Sequence, residues 1–213
     1  MSKITSLPGD LESFGFVTRE KVNGRTIINK CGRDFLYYAL NYYKPDIFNP
    51  SKYNPIQIDK EHLFGIPMPA MFAWTQLQFI YIPQLLRKYN LELSINGKKI
   101  TNFLEFLLAI MIPSFQSIDK VLQKVIDNVD GKIVTGIDIS IGIGGLLDHV
   151  LFVYGYDDGY LYVIDTHQLE KLEYKKIGSG NNYLMKLSKD IVRKRWGPFG
   201  RVWSIQNPLA DHV

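Results

Sequence analysis

The sequence predicts an α+β protein built on an antiparallel sheet. Apolar residues recur at helical spacing in several segments up to Asn128. After Gly131 the pattern turns to short β-rich runs. Asp157-Asp158-Gly159 then joins two such runs as a tight hairpin turn. Helices followed by a meander of strands give an α+β order, not alternating β-α-β units.

The elements follow in chain order. Residues 1 to 13 carry a Pro-Gly-Asp turn and are expected as a loose arm. Phe14 to Thr18 and Thr26 to Ile28 are expected to pair around Asn23-Gly24, a strong turn dipeptide. Asp34 to Tyr43 is a helix, because Phe35, Leu36, Leu40 and Tyr43 cluster at near-helical spacing. Pro45 and Pro50 end it and open a long loop, residues 45 to 69, expected as an insertion. Ala70 to Tyr89 reads as a helix with a kink at Pro83. Leu91 to Ile95 is a strand leading into an Asn96-Gly97 turn. Thr101 to Ile112 and Ser117 to Asn128 are helices. The strands are then Lys132 to Ser140, Val150 to Tyr156, Tyr160 to Ile164, Tyr183 to Leu187 and Arg201 to Ile205. One domain over residues 1 to 213 is expected at this length.

Composition excludes several classes. The chain is 46% hydrophobic and 22% charged, which is unlike a disordered, collagen-like or coiled-coil sequence. A single cysteine leaves no disulfide framework and no cysteine-based zinc site, and it fits a reducing compartment. The N-terminus has no apolar run of the kind a signal peptide needs. The longest apolar stretch, Phe103 to Phe115, is interrupted by Glu105, Pro113 and Ser114 and is shorter than the about 20 residues of a membrane span. A cytoplasmic protein without a membrane segment is the expectation. Net charge is +4, a mild excess that demands no nucleic-acid partner. The densest basic run, Lys189 to Trp196, reads as a short helix with Ile191 and Val192 turned inward.

Three residues carry candidate chemistry. Cys31, the lone thiol, is followed by Gly32 and then a helix. A helix N-terminus favours a thiolate through its dipole and its unpaired backbone N–H groups. His149 begins the apolar run Val150 to Tyr154, beside a glycine-bearing loop, Gly142 to Gly145. Asp165 ends the next strand. With Tyr156 opposite Leu161, Asp165 comes near Phe152, and a register slip or bulge would bring it to His149. A thiol, an imidazole and a carboxylate in this order are the parts of nucleophilic cysteine catalysis: a base for the sulfur and a third group to orient the base.

These residues resemble the papain-like cysteine peptidase superfamily, on the branch of double-glycine (bacteriocin-leader-processing) peptidases. The likeness lies in Asn29-Lys30-Cys31-Gly32 opening a helix, in Gly131 to Asp138 as a following strand, and above all in Asp148 to Asp165. That last block repeats the pattern of His, apolar strand, Gly-Tyr-Asp turn, strand and Asp. The resemblance spans Ile27 to about His167. It implies a papain-like fold in which an N-terminal helical part carrying the cysteine packs on a C-terminal antiparallel sheet carrying His149 and Asp165. It also implies a hydrolase acting on a peptide or protein substrate at peptide or isopeptide bonds, with catalytic Cys31, His149 and Asp165 and no cofactor or metal. Six positions before the cysteine the family has a Gln that helps form the oxyanion hole. Here that position is Arg25, and Arg25, Asn29 or Asn23 is the candidate second donor beside the Cys31 backbone N–H.

Leu63-Phe64-Gly65 is similar to a segment of acyltransferases that share the fold and the triad. This makes cysteine-dependent acyl transfer the alternative, and a binding module on a degenerate peptidase fold the third reading. Other signals are weaker. Gly142-Ile143-Gly144-Gly145 lacks the third glycine of a dinucleotide loop. His62 with Asp59 and Glu61 reads as a polar loop, His167 as a turn residue and His212 as part of the tail.

Overall fold

In a computed structural model of the chain, the described residues are 3–4, 20–22, 25–27, 31–49, 82–140, 148–165, 172–177 and 184–208. Three short strands come first: β1 (Lys3–Ile4), β2 (Glu20–Val22) and β3 (Arg25–Ile27). Helix α1 (Cys31–Tyr43) follows, then α2 (Ile82–Lys88), strands β4 (Glu92–Ile95) and β5 (Lys98–Ile100), and helices α3 (Phe103–Met111) and α4 (Ile118–Asp130). Strands β6 (Val134–Ser140), β7 (Asp148–Tyr156), β8 (Tyr160–Ile164), β9 (Lys175–Lys176) and β10 (Leu184–Ser188) lead to α5 (Lys189–Arg195) and β11 (Arg201–Gln206).

The main sheet runs β5-β4-β11-β6-β7-β8-β10-β9 with every neighbouring pair antiparallel. The protein is thus α+β with an antiparallel sheet, as its sequence predicts. The sheet is not confined to the C-terminal half, however. The β4–β5 hairpin belongs to it, and the last strand, β11, lies between β4 and β6. Five of the six β11 residues are buried, which suits a central strand covered on both faces. Asn96 fixes this placement: its backbone N–H donates to the Val202 carbonyl at 2.8 Å, and its side-chain oxygen accepts from the Val202 N–H at 2.9 Å. Asn96 and Gly97 both have positive φ, 53° and 83°, as a two-residue hairpin turn requires.

Local differences have local causes. Part of the expected loose arm is β1, paired with Gly155 and Tyr156 of β7. The hairpin across Asn23-Gly24 forms with Val22 opposite Arg25, but its first strand is Glu20–Val22. The expected strand Phe14 to Thr18 lies outside the described residues, as do residues 50–81 of the long loop and the expected helix. Pro83 falls in the first turn of α2, where a missing N–H costs little. The basic run forms α5 with Val192 inward, and its Arg193 pairs with Asp190 at 2.9 Å and Asp119 at 3.4 Å.

Each face of the sheet has its own apolar core. On one, Val150, Phe152, Tyr154, Tyr162, Ile164, Trp203 and Ile205 pack with residues of α1, α2 and α3. On the other, Ile137, Ile139, Leu151, Val153, Leu161, Val163 and Leu187 pack with α4 and with Val192 of α5. Helix α1 is buried nearly all round from Phe35 to Leu40, which marks it as a central helix. The Tyr43 hydroxyl, at its end, donates to the Ile205 carbonyl at 2.8 Å and accepts the Val134 N–H at 3.3 Å.

Gly136 lets α1 approach the sheet. A Cβ there would meet the Phe35 ring at 3.0 Å. Gly136→Val is expected to push α1 outward and to lower stability by about 1–3 kcal/mol, the usual cost of overpacking. Urea unfolding of the variant measures this, and an unchanged midpoint would show that α1 is not held at contact distance.

Candidate active site

Cys31 is the first residue of α1, three positions before the helix that the spacing of apolar residues suggests. Its thiol is free of any disulfide and buried, with 6% exposure. It lines a small pocket with Asp34, Phe35, Tyr38, Val150, Phe152 and Ile164, where α1 crosses the ends of β7 and β8. Tyr38 and Phe152 close one side, with ring centroids 3.8 Å apart.

His149 and Asp165 are brought together by a bulge. Tyr156 pairs with Leu161, as the hairpin turn dictates, and Gly155 pairs with Tyr162. The register then shifts, so that Val153 pairs with Val163 and Phe152 with Ile164. Continued by one residue, this sets Asp165 beside Leu151, two residues from His149 and on the same face. Without the shift Asp165 would stand beside Phe152, on the opposite face from His149, because side chains alternate along a strand. The bulge supplies the slip that the hairpin count requires, and it re-aims a side chain, as bulges commonly do.

The two groups are hydrogen-bonded. His149 Nε2 donates to Asp165 Oδ1 at 2.8 Å, and both residues are almost fully buried. An ionised carboxylate only accepts, so Nε2 carries the proton. The Cys31 sulfur lies within hydrogen-bonding reach of the same imidazole. Burial alone would push the His149 pKa down. The Asp165 charge and hydrogen bond, with a contribution from Cys31, outweigh it and raise the pKa to about 10. With its pKa so raised the ring rests as imidazolium at neutral pH, held between the acid that orients it and the sulfur whose proton it takes.

Two further groups belong to the neighbourhood. Asp34 lies three residues after Cys31, on the same side of α1, and is buried. Its helical spacing from the cysteine makes it legible in the sequence. Tyr174 donates its hydroxyl proton to Asp165 Oδ2 at 2.7 Å. No motif marks it, since it stands nine residues beyond Asp165.

The oxyanion candidates are placed less fully. Arg25 is the first residue of β3, and its side chain lies outside the described residues, as do Asn29 and Asn23 altogether. The glycine-bearing loop at 142–145, Asp59, Glu61, His62, Leu63 to Gly65, His167 and His212 also lie outside them. Among the described residues no group of three or more His, Cys, Asp or Glu side chains is arranged to hold a metal ion. Among them, too, no helix is long and apolar enough to cross a membrane.

A scan of the chain against protein-family models gives no match, and a search of curated proteins gives none either.

Proposed function

We propose that this protein is a papain-like cysteine hydrolase that cleaves a peptide or isopeptide bond through Cys31, His149 and Asp165. The observation that carries the reading is a single imidazole, bonded to a buried carboxylate at 2.8 Å and within reach of a sulfur at the start of a helix. His149, as imidazolium, already holds the Cys31 proton when the sulfur attacks the scissile carbonyl. The carbonyl oxygen becomes an oxyanion, for which the Cys31 backbone N–H is one donor and Arg25 or Asn29 the candidate second. The imidazolium gives its proton to the leaving amine, and a thioester remains on Cys31. Water, deprotonated by His149, attacks the thioester; the acid leaves and the sulfur recovers a proton. Asp165 stays charged throughout and keeps the proton-bearing Nε2 turned away from the sulfur.

The test works on an unselected mixture of substrates. The purified chain and its Cys31→Ala variant are incubated with a library of tryptic peptides, and new termini are read by mass spectrometry. Termini made only by the wild type are expected. A parallel incubation with an added small amine separates hydrolysis from acyl transfer, because transfer places the amine on the new carboxyl end. Identical spectra for the two proteins would contradict the hydrolase reading.

A further inference from the structure

Asp165 presents two carboxylate oxygens, and each has its own donor. Oδ1 takes the His149 proton, and Oδ2 takes the Tyr174 hydroxyl at 2.7 Å. The torsion that turns an aspartate carboxylate is soft and broadly populated. A carboxylate held by one oxygen can swing; one held by both, from two different elements, has its plane fixed.

Tyr174 is well placed for such a grip. It lies between Leu172, fully buried in the core on the α4 side, and β9, whose Lys175 and Lys176 pair with Lys186 and Met185 of β10. Its ring packs against that same core. Burial, then the neighbouring Asp165 charge and the hydrogen bond to it, hold the phenol pKa well above its ordinary value. The hydroxyl thus keeps its proton and stays a donor.

We propose that Tyr174 is a positioning residue for the candidate triad: its hydroxyl holds the second oxygen of Asp165 and so fixes the carboxylate against the His149 imidazole. This inference rests on the triad reading above. The action of Tyr174 passes through Asp165, the group its hydroxyl bonds.

The experiment follows the rate at which iodoacetamide labels Cys31, from acid to neutral pH, in the wild type and in Tyr174→Phe, with thermal unfolding in parallel. Among the described residues the titratable groups facing the site are His149 from β7, Asp165 after β8, Tyr174, and Cys31, Asp34 and Tyr38 from α1. Removing a donor from a carboxylate makes its protonation easier, so the acid limb of the profile should move to higher pH. At about pH 5 the variant should label about tenfold more slowly, the effect of losing one hydrogen bond to a charged group.

3-Fluorotyrosine at position 174 keeps the ring and gives a stronger donor, and it should move the limb the other way. In an Asp165→Asn background, Tyr174→Phe should change the labelling rate no further. Should Tyr174→Phe fail to fold, the fluorotyrosine chain alone decides. A purely structural tyrosine would shift the melting temperature and leave the acid limb in place, and that result would overturn the proposal. His149→Ala serves as the control for the reading beneath it. If labelling of the wild type does not depend on His149, the triad reading fails and this inference with it. If labelling depends on His149 and the limb stays fixed, only the role of Tyr174 falls.

Discussion

Replacing His149 with alanine is expected to lower peptide hydrolysis by about four orders of magnitude while the chain stays folded. The imidazole is asked to do two things that nothing else described at the site can do: take the proton from Cys31 and return it to the leaving amine. Among the described residues the pocket is lined by one acid, the thiol and five apolar or aromatic residues, with no Lys or Arg. Asp165 is already engaged by the imidazole and by the Tyr174 hydroxyl, and so is not free to replace His149. Once the imidazole is gone, Asp165 retains the Tyr174 hydroxyl, so its charge is not left without a donor. Circular dichroism and a melting curve establish that the variant is folded, and initial rates on a peptide identified from the library give the loss. A variant retaining a tenth of wild-type activity would remove His149 from the mechanism.

The largest expected loss of stability comes from Arg201. This arginine is 1% exposed and stands opposite Asp138 across the β11–β6 pair. Its Nε donates to the Ala109 carbonyl at 2.8 Å, and its terminal nitrogens donate to the carbonyls of Ile110 and Phe199. Ala109 and Ile110 lie in the last turn of α3, where carbonyls have no partner within the helix. The Asp138 carboxylate is 3.9 Å from the guanidinium. Arg201→Ala would strip these buried acceptors of a charged donor and is expected to cost about 3–5 kcal/mol. Total stability of domains is about 5–15 kcal/mol, so the variant would sit close to its unfolding threshold. Urea denaturation measures the change, and a loss below about 1 kcal/mol would mean that water or other groups satisfy those carbonyls.

The hairpin and the helix are legible in the sequence because their signals are local. Asp157 explains the turn by itself: its side-chain oxygen accepts from the N–H groups of Gly159 and Tyr160 at 2.9 and 2.8 Å. From that turn the sequence sets Tyr156 opposite Leu161, which the structure shows. It does not set the shift between Val153 and Gly155, because a bulge adds one residue to one strand without any residue type that demands it. That shift decides whether Asp165 faces His149 or the other side of the sheet. Cys31, His149 and Asp165 can therefore be named from their order in the chain, while their meeting depends on a bulge that no residue announces.

Longer-range features leave no local trace. Strand β11 reads as the last of a meander, yet it lies between β4 and β6, and nothing in Arg201 to Ile205 names its neighbours. Strand β5 is three residues long, two of them exposed lysines, and shows too little alternation to be found. The Tyr174 contact depends on the chain returning along β9 to β10, a path with no sequence signature.

The central claim is that Cys31 is an activated nucleophile and not an inert buried thiol. The most direct measurement is its rate of reaction with iodoacetamide at about pH 6, in the folded chain and in the same chain unfolded in urea. If His149 and the start of α1 activate the sulfur, the folded protein reacts faster than the unfolded one, despite the 6% exposure of Cys31. A folded chain that reacts more slowly than the unfolded chain would contradict the account, because burial would then be protecting the sulfur with nothing to activate it.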